Sequence, residues 1–114
     1  MGLFGLFKNK GIYYYLTKEE KDEMIKTGDL KRMYLISPKF GGTDDIGNMV
    51  YVPTLAYNKK NQIDEELENY LKQGRNVRYM CNLRYKGKSS IPSKIKIQAV
   101  IDGVGPYIKE IDVW

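Results

Sequence analysis

The order of apolar and polar positions divides the chain into segments of different period. Gly11-Ile12-Tyr13-Tyr14-Tyr15-Leu16 is an aromatic run with strand character. Thr17 and Glu20 follow at capping-box spacing and open a short charged helix, with Gly28 placed to end it. Met33 to Ser37 reads as a strand stopped by Pro38. Residues 40–48, Phe40-Gly41-Gly42-Thr43-Asp44-Asp45-Ile46-Gly47-Asn48, are rich in turn formers and read as a loop.

A helical period then runs over about residues 61–73 and stops at Gly74. Ile63, Leu67, Tyr70 and Leu71 line its apolar face, while Asp64, Glu65, Glu68 and Lys72 fall on the other. Beyond it the period drops to two. Val77, Tyr79, Cys81, Leu83 and Tyr85 alternate with Arg78, Met80, Asn82 and Arg84. Ile95, Ile97, Ala99 and Ile101 alternate with Lys94, Lys96 and Gln98, and Tyr107 to Val113 reads as a third strand. These elements predict an α+β fold with an antiparallel sheet and two helices. We expect residues 1–10 to form an N-terminal tail and residues 11–114 a single domain.

Composition narrows the chemistry. The chain has no histidine, which removes the commonest general base, the commonest zinc ligand and every Ser-His or Cys-His nucleophile. The single Cys81 excludes an internal disulfide and leads us to expect a cytoplasmic setting, as does a start at Met1 with no leader pattern. The apolar start Met1-Gly2-Leu3-Phe4-Gly5-Leu6-Phe7-Lys8 is too short to span a membrane. Its charge follows the apolar part, the reverse of a signal peptide. Leu6 also stands where a myristoylation motif needs Ser or Thr. A net charge of +5 suits nucleic acid, an anionic membrane or an acidic protein without choosing among them.

Lys31-Arg32-Met33-Tyr34-Leu35-Ile36-Ser37, then Phe40-Gly41-Gly42, then Asp45-Ile46-Gly47-Asn48-Met49-Val50 form one block. Downstream come Leu71-Lys72-Gln73-Gly74, a basic strand, Arg84-Tyr85-Lys86-Gly87, Ile91-Pro92-Ser93 and Asp102-Gly103. In order and spacing this resembles the DNA/RNA non-specific endonucleases. The likeness is greatest to the toxin domain of EssD-like type VII secretion effectors and related polymorphic toxins. The resemblance implies a ββα-metal fold, in which a strand histidine activates water and a helix asparagine holds one Mg²⁺ beside the scissile phosphate.

Carried over by that resemblance, Tyr34 stands at the histidine's position and Arg32 keeps the family's arginine, while Lys31 and Met33 replace its neighbours. Asn58 matches the metal asparagine, with Glu65 or Glu66 near it. Tyrosine ordinarily titrates near ~10, so at neutral pH it holds its proton and makes a poor base. Losing a positioned base removes roughly 10²–10⁴ in rate. Each residue also has a plainer reading. Tyr34 packs on a sheet, Arg32 faces solvent, Asn58 caps a helix or forms a turn, and Asp44 and Asp45 shape a turn instead of acting as a carboxylate pair.

From Lys72 to Lys96 there are eight basic residues and no acidic one. Arg75, Arg78, Arg84, Lys86, Lys94 and Lys96 are the candidate contacts to nucleic acid or an acidic partner; a solvated outer sheet face is the plainer reading. The expected function is a catalytically degenerate nuclease-fold protein of a bacterial toxin–immunity or phage-conflict locus. It would act through a protein partner, such as a toxin or regulator, or through nucleic acid. No cofactor is then required, although Mg²⁺ binds if the family's metal site survives. The competing expectations are an active Mg²⁺-dependent endonuclease with a substituted base, and simple nucleic-acid binding through the basic strip.

Overall fold

The computed structural model describes residues 10–114, so the expected tail, apart from Lys10, lies outside the described residues. Helix α1 (Lys18–Thr27) leads to strand β1 (Leu30–Tyr34). After an irregular stretch come β2 (Met49–Pro53), helix α2 (Thr54–Lys72) and strands β3 (Val77–Arg84), β4 (Lys94–Ile101) and β5 (Gly105–Asp112). β1 and β2 form one antiparallel sheet, and β3-β4-β5 form another. The expected α+β class holds, and β1-β2-α2 supplies the ββα arrangement. No helix among the described residues is long and apolar enough to cross a membrane.

The local signals explain α1 fully. The Thr17 hydroxyl accepts from the Glu20 amide at 3.1 Å, and the Glu20 carboxylate accepts from the Thr17 amide at 2.9 Å. Gly28 closes the helix at φ 86°, a left-handed conformation that costs a glycine little. The alternating strands also form as their pattern predicts. Tyr79, Ile95, Ile97, Ala99, Ile101 and Ile111 are buried in one core with Met33, Val52, Ala56, Ile63 and Leu67. Helix α2 thus packs between the two sheets.

Three expectations need correction, and one strand carried no signal. Residues 11–16 are not a strand. Lys10–Tyr15 is a 3₁₀ segment in which Tyr13 and Tyr14 pack on Trp114 at ring distances of 5.6 and 4.9 Å. The strand expected at 33–37 lies at Leu30–Tyr34, and Pro38 opens a 3₁₀ turn, Pro38–Phe40, instead of ending a strand. Leu30 and Met33 defeat simple alternation because they enter different cores. Met33 joins the main one, and Leu30 joins Met24, Ile91 and Trp114. β2 had no alternating signature for the same reason: Val50 and Val52 serve one core while Tyr51 serves the other. Finally, α2 begins at Thr54, not near residue 61. Ala56, Lys60, Ile63 and Leu67 form one buried stripe, and a lysine in that stripe hid its first turns.

Candidate functional site

A cleft of about 290 Å³ opens between β1, the Pro38–Phe40 turn and α2. Arg32, Met33 and Tyr34 line it from β1; Ser37 and Lys39 from the turn; Tyr57, Lys60, Asn61, Asp64 and Glu65 from α2. The helical set recurs every three or four residues, so one face of α2 forms the wall.

The position of Tyr34 depends on a tied loop. Asn48 accepts from the Ile36 amide at 2.9 Å and donates to the Ile36 and Thr43 carbonyls at 2.8 and 2.7 Å. Gly42 lies against the same backbone, where an added Cβ would fall 1.7 Å from the Ile36 carbonyl oxygen. Tied this way, the loop returns Asp44 to β1, and the Tyr34 hydroxyl donates to Asp44 Oδ1 at 2.6 Å. That bond raises the Tyr34 pKa further above the ordinary phenol value, with burial and the Asp44 charge adding and Arg32 opposing. The phenol is a committed donor. Asp44 is therefore more than a turn former, and only the folded loop could show it.

Beneath the cleft lies a buried ionic group. Lys60 is 1% exposed, and its Nζ donates to Asp64 Oδ2 at 2.8 Å. The Tyr79 hydroxyl donates to Asp64 Oδ1 at 2.5 Å, and the Lys60 ammonium lies 5.3 Å from the Tyr79 ring centre. Phe40 stacks on Tyr79 at 4.7 Å. Burial, then the bond to Asp64, pushes the Tyr79 pKa strongly upward. Burial likewise lifts the nearby Cys81 thiol to about 11, with Lys60 opposing and Asp64 adding. Sequence reading put Asp64 on the solvent face and did not consider Lys60. The i,i+4 spacing of the pair was the available signal.

Of the residues carried over by resemblance, Arg32 and Tyr34 line the cleft, and so does Glu65. Asn58 and Glu66 are exposed and stand outside the lining; Asn58 lies inside the helix, not before it, so it neither caps it nor forms a turn. Asn61, one turn further on, is the asparagine that faces the cleft. Asp64, the carboxylate beneath the cleft, does not fit a divalent ion. Among the described residues no three His, Cys, Asp or Glu side chains converge, and both oxygens of Asp64 already accept from Lys60 and Tyr79.

The basic strip sits elsewhere. Arg78, Arg84, Lys94 and Lys96 share one face of the β3-β4-β5 sheet, opposite in parity to the buried Tyr79, Ile95 and Ile97, so they face away from the cleft. Glu110 and Asp112 on β5 flank them, 3.7 and 3.5 Å from Lys94 Nζ. Arg75 and Lys86 are engaged within the chain, donating to the Asp102 and Trp114 carbonyls at 2.8 and 3.2 Å. Met80, Val100 and Ile108 are exposed on the same outer face.

Among known families, the DNA/RNA non-specific endonuclease family matches residues 8–103. No curated protein matches the chain.

Proposed function

The chain belongs to the DNA/RNA non-specific endonuclease family, and we propose that it is a catalytically degenerate member that binds without hydrolysing. The observation that carries this reading is the Tyr34–Asp44 hydrogen bond. At the strand position where the resemblance puts the water-activating histidine stands a phenol whose proton is already bonded to a carboxylate. The chain has no histidine elsewhere to replace it.

Two surfaces support binding. Arg32 gives the cleft a cation outside the ion pairs that hold Lys39 to Glu68 and Lys60 to Asp64, which suits a phosphate of nucleic acid. The outer sheet face suits a protein partner better than a phosphate track. Its cations are flanked by Glu110 and Asp112, and Met80 and Ile108 are 56% and 57% exposed beside them. A bacterial toxin–immunity or phage-conflict locus and a cytoplasmic location are the setting we infer, and an adjacent nuclease gene would support it.

The test incubates purified protein with plasmid and RNA in Mg²⁺ or Mn²⁺ at neutral pH and measures oligonucleotide binding alongside. We expect binding whose logarithmic affinity falls with log salt, and no cleavage. Brisk hydrolysis that co-purifies with the protein and is lost in Arg32→Ala would overturn the reading in favour of an active endonuclease.

A further inference from the structure

A buried ion pair adds little net stability over a well-packed apolar pair, so the main consequence of Lys60 and Asp64 is electrostatic. Asp64 is the carboxylate that α2 places beneath the cleft, and its two oxygens accept at 2.8 and 2.5 Å. Divalent magnesium binds carboxylate oxygen at about 2.0–2.1 Å. An ion on Asp64 Oδ2 would therefore lie within about 5 Å of the Lys60 ammonium, since that ammonium is 2.8 Å from the same oxygen. The ammonium cannot withdraw into water, because the lysine side chain is only 2% exposed and lies beside the Tyr79 ring. A dication meeting a fixed like charge at that range, with the carboxylate already neutralised, is disfavoured.

We propose that Lys60 is a resident cation that takes the place of a divalent ion at Asp64, so that the cleft accepts phosphate groups through Arg32 without metal. The inference about phosphate rests on the binding reading given above; the inference about Lys60 does not. The ligand class is a phosphate monoester or diester, supplied as a nucleic-acid backbone or as free phosphate.

Two measurements test it on the whole chain. In the first, a fluorescent single-stranded oligonucleotide is titrated in EDTA and in Mg²⁺ at matched ionic strength, with inorganic phosphate as competitor. The affinity should be the same in both buffers, and a loss of about tenfold or more in EDTA would overturn the proposal. Competition by inorganic phosphate at millimolar level would assign the site to phosphate itself; no competition would assign it to the nucleic-acid backbone. In the second, thermal unfolding is followed with increasing Mn²⁺. Wild type should show no shift, Lys60→Met should gain a Mn²⁺-dependent rise in Tm, and Lys60→Met with Asp64→Asn should lose it again. A rise in wild type that Asp64→Asn abolishes would refute the resident-cation role. If Lys60→Met does not fold, the wild-type and Asp64→Asn arms still decide. Absence of oligonucleotide binding in either buffer would refute the phosphate reading alone, while the Mn²⁺ arm judges Lys60 independently.

Discussion

Replacing Asn48 tests how the cleft is held. Its amide makes three hydrogen bonds that close the loop from residue 36 to residue 48, one accepted from the Ile36 amide and two donated to the Ile36 and Thr43 carbonyls. A net contribution of about 0.5–1.5 kcal/mol per bond gives a loss of about 1.5–4.5 kcal/mol for Asn48→Ala. Asn48 is only partly buried, so water recovers some of that loss, and the lower half of the range is expected. Asn48→Asp is the sharper probe. It keeps the shape and the acceptor but sets a carboxylate oxygen against two carbonyls, so at neutral pH it should cost at least as much as alanine. Below the carboxylate's pKa the protonated acid can donate again and part of the loss returns. Urea unfolding by circular dichroism, extrapolated linearly, measures both variants. Hydrogen exchange supplies the local readout: the Ile36 amide, bonded to Asn48 Oδ1, should lose protection before the β4 amides do. An Asn48→Ala cost below about 0.5 kcal/mol would refute the claim that this side chain holds the loop, because that is no more than an ordinary surface change.

Further outcomes follow from the same structure. Gly42→Ala should destabilise by about 1–3 kcal/mol or more in the same urea assay, because its Cβ meets a backbone oxygen that no rotamer can move aside. Thr17→Ala should cost about 1 kcal/mol by removing the capping box of α1, and Thr17→Ser should recover most of it. Stability should decline as pH rises from 9 toward 11, because the Cys81 thiol is raised from 9.0 to about 11 in the fold. The sign follows from linkage: below 9 both states hold the proton, and above it the unfolded chain releases it first. A two-unit shift corresponds to on the order of 3 kcal/mol, and Cys81→Ala should flatten the profile between about pH 9 and 10, above which the raised Tyr79 phenol acts in the same direction.

Much of the fold was legible because its signals are local. A capping box with a terminal glycine fixes α1 within a few residues, and strict alternation fixes β3 and β4 because each strand has one wet and one dry face. The aromatic run at 11–16 misled because its rings pack on Trp114, about a hundred positions along the chain but adjacent in space. β1 and β2 escaped because a strand feeding two cores carries no single period.

For the candidate site, residue types told what chemistry was missing, since a chain without histidine lacks the usual base wherever its side chains fall. Which polar groups meet was decided only by tertiary structure. Asp44 reaches Tyr34 because Asn48 and Gly42 close a loop, and Lys60 shares Asp64 with Tyr79 because α2 lies on β3. Burial of a charge depends on what packs over it from distant parts of the chain. Periodicity records which face a residue occupies, and it carries no information about the partner brought to that face.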